Sequence, residues 1–141
     1  MTRVRLTGEI DVALPPARAF PLFTPRGERA WADGWDPHFP DDPSDDTEPG
    51  VVFETAAHGH HAAWLVLDRV APSSISYARV VPGDRAGTVT VSLAESDAGS
   101  RVQVTYDLTA LRPEAEPALA KFAAEYPAYL ASWETAIAAL H

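Results

Sequence analysis

The chain has 141 residues, no cysteine, and a formal net charge of −9 from twenty acidic against eleven basic side chains. The lack of cysteine excludes disulfides, thiolate metal sites and a cysteine nucleophile, and an acidic chain with no basic stripe opposes binding to nucleic acid or anionic lipid. The length fits one domain, residues 1–141, and no apolar run is long enough for membrane insertion.

The opening "MTRVRLTGEIDVALPP" lacks a continuous apolar segment, so no secretory signal and a cytoplasmic location are expected. Residues 3–14 alternate, with Val4, Leu6, Ile10, Val12 and Leu14 on one face and Arg3, Arg5, Thr7, Glu9 and Asp11 on the other. Period two predicts a strand with one buried and one wet face. Gly8 falls on the apolar side, where a glycine is expected to mark a bend or bulge. Pro15 and Pro16 end the strand and can open a helix; "ARAFPLF" and "PRGERAWADGW" predict two small helices. Residues 36–50, "DPHFPDDPSDDTEPG", are too rich in Pro, Asp and Ser to pack, and predict a long functional or mobile loop.

Further strand patterns follow. Residues 51–57 and 61–70 flank "HGH"; Ile75, Tyr77, Arg79 and Val81 share one parity, as do Val89, Val91 and Leu93, and Val102, Val104, Tyr106 and Leu108. Short turns between them predict an antiparallel meander. In the tail, Leu119, Phe122, Tyr126, Tyr129, Trp133, Ala136 and Leu140 recur at helical spacing, a single apolar stripe on a long helix that Pro127 should kink.

His58, His60 and His61 crowd into "AAHGHHAAW". On a strand the first two share a face and the third takes the other, whereas a structural zinc site needs four ligands and a catalytic one about three. Gly59 between two strand patterns predicts a hairpin tip, and no metal or other cofactor is assigned. "DDPSDDTEP" lacks the alternating acids and central glycine of an EF-hand loop. Asp33, Asp36 and His38 read as caps and turns before they read as an acid–base set. No nucleophile elbow, phosphate loop, dinucleotide fingerprint or metalloprotease helix occurs.

"VALPPARAFPLFT", "GWDPHF", "GTVTVSLAESDAGSRVQVTYDLTAL" and "YLASWETAIAAL", in that order, resemble the START-like (SRPBCC) superfamily along almost the whole chain. That group includes birch-pollen-allergen-like proteins, polyketide cyclases and activators of the large cytosolic chaperone. The resemblance implies an α+β helix-grip fold: a curved antiparallel sheet of six or seven strands wrapped round a long C-terminal helix, with two small helices after strand 1. Six strands are legible, and the missing second one is expected as a short piece around His38 and Phe39. In the family the space between sheet and helix holds lipids, hormones or polyketides, and a minority of members do chemistry there.

The candidate ligand-binding residues are the aromatics placed around that space, namely Trp31, Trp35, Phe39, Phe53, Tyr77, Tyr106, Phe122, Tyr126, Tyr129 and Trp133, together with Arg79. Core packing accounts for most aromatic side chains. Three tyrosines and an arginine on buried parity are nonetheless too polar for a dry core, since an unpaired buried hydroxyl costs roughly 1–3 kcal/mol. Arg79 needs Glu54 or Glu95 across the sheet, an escape route at the strand end, or the carboxylate or phenolate of a ligand. Trp64 is left open, because one residue more or less in the hairpin loop turns its indole from cavity to surface.

The expected function is binding of an apolar small molecule, aromatic by preference, as a carrier or sensor. A polyketide aromatase/cyclase-like enzyme is the alternative, opposed by a cavity whose polar groups are phenols and one arginine. A chaperone-activator-like protein-binding module is a second alternative. It needs an exposed apolar patch, which the polar face of the first strand does not supply.

Overall fold

The computed structural model describes residues 2–56 and 59–140. Six strands form one antiparallel sheet: β1 Arg3–Val12, β2 Val52–Thr55, β3 Ala62–Val70, β4 Ser74–Val81, β5 Arg85–Ser96 and β6 Gly99–Ala110, in the order β1-β6-β5-β4-β3-β2. Between β1 and β2 lie α1, Pro16–Ala19, and two 3-10 turns, Phe20–Phe23 and Gly27–Ala30; α2, Glu116–Ala138, closes the chain. This is the helix-grip architecture, an open curved sheet holding one long helix. Among the described residues, no helix is long and apolar enough to cross a membrane.

The short piece expected around His38 and Phe39 is a single bridge: His38 N–H donates to Glu54 O at 2.8 Å and Glu54 N–H returns a bond of 2.9 Å. Pro37 and Pro40 flank that pair and have no N–H to extend a ladder, which explains why it stops at one residue. The rest of the 36–50 segment is tied down. Arg69 binds Asp45 and Thr47, while Asp46 accepts from Arg26 N–H at 2.8 Å. Hydrogen bonds from Thr47, with Arg69 adding to them, lower the Asp45 pKa to about 2.

Gly8 marks no bulge. The β1–β6 register runs unbroken from Arg3↔Thr109 to Val12↔Ser100, and the irregularity in the sheet lies in β3 between Val66 and Asp68. What Gly8 provides is room for the helix, since a Cβ there would stand 2.5 Å from Leu130 Cδ1. Leu130 and Tyr126 pack at this gap, and with Leu119 and Ile137 they form the buried flank of α2, each aliphatic burial stabilising by roughly 1.5–3 kcal/mol. The single stripe expected from the sequence is thus two adjacent flanks, and Leu140 lies exposed beyond them. Pro127 sits inside α2, which continues through it as one element. Glu134 Oε2 accepts from Asp11 N–H at 2.7 Å, satisfying a donor on the sheet edge and fixing the helix to it.

The outer face is polar along β1 and β6, where Arg3 meets Asp107 and Arg101 meets Glu9 and Asp11 across strands. At the other end of the sheet Val52, Leu65 and Val80 are exposed on that same face.

Candidate functional site

Between the inner face of β3–β6, the cavity flank of α2 and the 3-10 turns lies a hollow of about 530 Å³, within the range of small-molecule sites. Strand parity supplies one wall, with Trp64 from β3, Tyr77 and Arg79 from β4, Val89 and Val91 from β5, and Tyr106 and Leu108 from β6. The helix contributes Phe122, Tyr129, Trp133 and Ala136, and the 3-10 region Phe23, Glu28, Trp31 and Trp35. All four tryptophans of the chain border this space.

Of the residues expected there, Trp31, Trp35, Tyr77, Arg79, Tyr106, Phe122, Tyr129 and Trp133 line it, and Phe39, Phe53 and Tyr126 do not. Phe53 lies behind the wall, stacked on Trp64 with centroids 5.5 Å apart and packed against Phe39 at the same distance. Tyr126 belongs to the flank that faces β1 and β6, and its hydroxyl donates to Val104 O at 2.6 Å. Tyr126→Phe should therefore cost about 1–2 kcal/mol in a denaturant titration. The face of Trp64 is settled by the register: it pairs with Phe53, is 8% exposed, and its indole N–H reaches Thr55 Oγ1 at 3.0 Å.

Most polar tips around the hollow are spent on the wall itself. The indole N–H groups of Trp31 and Trp35 donate to Leu22 O and Pro25 O, both at 2.7 Å, and Tyr77 O–H donates to Phe23 O at 2.9 Å. These rings therefore show carbon to the interior. Arg85, which sequence reasoning passed over, is paired with Asp84 at 2.7 Å. The hydroxyls of Tyr106 and Tyr129 share one hydrogen bond of 3.3 Å.

Two charged residues that are not exposed are left over. Arg79 meets neither Glu54 nor Glu95. Its guanidinium lies over Trp64 at 5.3 Å, and among the described residues no hydrogen-bond acceptor reaches it. Burial lowers its pKa, and the nearby phenols of Tyr106 and Tyr129 counter this only in part. Glu54 is instead engaged by His61 at 3.0 Å.

The second is Glu28, absent from the sequence-based set. Its turn is folded tightly on the preceding one: Thr24 Oγ1 donates to Pro21 O and accepts from Gly27 N–H, and Thr24 O accepts from Glu28 N–H at 3.1 Å. A Cβ at Gly27 would come within 1.7 Å of Pro21 O, so only glycine permits this approach. Glu28 borders the hollow, its carboxyl has no hydrogen-bond partner among the described residues, and burial pushes its pKa up to about 8. A four-residue 3-10 turn has no periodicity from which its inward face could be read; an acid set between Gly27 and Trp31 was the one available signal.

The histidine stretch and the acid–base candidates are less convergent. His58 lies outside the described residues, His60 is exposed and borders the hollow, and His61 pairs with Glu54. Among the described residues, no group of three His, Asp or Glu could hold a metal. Asp33 borders the hollow, whereas Asp36 pairs with Arg29 at 3.2 Å and His38 makes the backbone bridge.

Over residues 3–133 the sequence matches the family described as polyketide cyclase/dehydrase and lipid transport. The chain belongs to that family. Its fold recurs in solved structures of low sequence identity, which support the architecture alone. One is protein MLL2253 of Mesorhizobium loti, with TM-score 0.72, 18% identity, and coverage of 98% of this chain and 99% of that one. CalU16 of Micromonospora echinospora gives 0.66 and 17%, covering 97% of this chain and 76% of that one. DynU16, a putative protein in the dynemicin biosynthetic locus, gives 0.65 and 16%, and the 99% of this chain that aligns spans 48% of it. No curated protein matches the sequence.

Proposed function

We propose that the protein binds an apolar aromatic small molecule with one acidic substituent, a carboxylate or phenolate, held by Arg79. The observation that carries this reading is a guanidinium without an acceptor on the wall of an aromatic-lined hollow of about 530 Å³. A half-buried cation without a partner is costly, and a planar anion restores two charge-assisted hydrogen bonds at once. Burying about 200 Å² of ligand carbon would add roughly 5 kcal/mol before ordering costs. The family description, and the placing of the similarly folded DynU16 in a biosynthetic locus, agree with a role in handling such molecules.

The tryptophans make the test direct. Titration with 2-naphthoate and with 2-methylnaphthalene should quench the indole emission saturably, the acid binding more tightly. Arg79→Leu should weaken 2-naphthoate by about ten- to a hundredfold and leave the hydrocarbon unaffected. No saturable quenching by either probe would overturn the proposal.

Glu28 also supports a second reading, an enzyme that moves protons on the bound molecule. The hollow holds a carboxyl that titrates near neutrality, as well as phenols and arginines. Exchange of α-hydrogens of a bound aryl ketone with solvent deuterium, faster with the native protein than with Glu28→Gln, would be its signature. Equal rates would exclude it.

A further inference from the structure

We propose that Glu28 reads a second polar group on the ligand, so that the hollow selects aryl acids carrying a carbonyl oxygen on the side away from the acid. The inference rests on the cavity reading above and adds the chemistry of the other end.

Its first support is placement. Glu28 and Arg79 border one hollow, and neither carboxyl nor guanidinium has a hydrogen-bond partner among the described residues. Arg79 reaches it from β4 and Glu28 from the 3-10 turn Gly27–Ala30, with no ion pair between them, so an acid held by Arg79 leaves the rest of the ligand in the space that Glu28 borders.

The second support is charge. An ionised Glu28 in the same enclosed space would oppose an anionic ligand, while the protonated acid is a hydrogen-bond donor with nothing on the wall to accept from it. A carbonyl oxygen fills that vacancy without adding charge. Burial, the cause of the high Glu28 pKa, keeps the donor form present at neutral pH. The groups facing it do not take over that role. Tyr77 from β4, Tyr106 from β6 and Tyr129 from α2 are phenols that burial drives further from ionisation. Arg85 from β5 is engaged by Asp84, and Asp33 and His60 are exposed at the margin.

The test uses indole quenching by 2-naphthoate, 6-acetyl-2-naphthoate and 6-(aminomethyl)-2-naphthoate with the native protein, Glu28→Gln and Glu28→Leu, after circular dichroism confirms that each is folded. At about pH 6 the acetyl compound should bind roughly five- to tenfold tighter than 2-naphthoate. In the native protein this gain should vanish at about pH 9.5, where the carboxyl has lost its proton. It should persist at both pH values in Glu28→Gln, whose amide still donates, and be absent in Glu28→Leu. No acetyl gain at pH 6, a gain that survives in Glu28→Leu, or tighter binding of the aminomethyl compound would overturn the proposal. If 2-naphthoate and 2-methylnaphthalene also fail to bind, the cavity reading falls with it; if they bind and only the acetyl gain is missing, this inference alone falls.

Discussion

Glu28→Gln should be more stable than the native protein at pH 8 and indistinguishable from it at pH 4. The folded pKa of Glu28 is raised from 4.5 to about 8 by burial, so between those values the folded state holds a proton that the unfolded chain has released. Folding stability therefore falls as pH rises through this window, and the full cost applies above it. At about 1.4 kcal/mol per unit of displacement, the penalty reaches on the order of 3–5 kcal/mol. Glutamine removes the ionisation while nearly preserving shape. Denaturant midpoints of the two proteins should coincide below about pH 4.5 and diverge progressively up to about pH 8. Parallel curves across that range would show that the native carboxyl is solvated and does not face the interior.

Phe53→Ala should cost about 3–5 kcal/mol, the usual range for deleting a buried phenyl ring. Phe53 is 1% exposed and touches four rings: Trp64 stacked at 5.5 Å, Phe39 at 5.5 Å, and Trp35 and Tyr77 each at 6.1 Å. It is also the inward anchor of β2, an edge strand of four residues, so few other contacts hold that edge. A fall in Tm of about 10–15 °C is expected, with loss of near-ultraviolet dichroism from the stacked Trp64. Phe53→Leu, which keeps most of the volume, should lose less than half as much. A small effect from the alanine variant would mean that the edge strand is held from elsewhere.

The strands were legible because each has one wet and one dry face, and period two leaves little freedom once the dry face is assigned. That is why Tyr77, Arg79 and Tyr106 were placed on the inner wall from sequence, and it is where they lie. The method weakened wherever period was short or shared. Trp64 depended on loop length, which alternation cannot supply, and needed the observed Phe53↔Trp64 pairing. On α2, spacings of three and four merge two flanks and group Tyr126 with Tyr129, although three residues turn it about 60° away and put it against the sheet, on the flank of Leu130 and Ile137 that the stripe leaves out. Glu28 was hidden for a different reason. Its inward direction is set by the close approach of Gly27 to Pro21 O, a contact between backbones that leaves no mark on side-chain patterning.

The division of labour along α2 has an evolutionary consequence. Leu119, Tyr126, Leu130 and Ile137 are committed to anchoring the rod, whereas Phe122, Tyr129, Trp133 and Ala136 touch the hollow. Replacement in the second group reshapes the recognition surface without loosening the anchor. A lineage can thus recast the lining of the hollow through a handful of substitutions on one side of a single helix, while the scaffold that carries them is inherited unchanged.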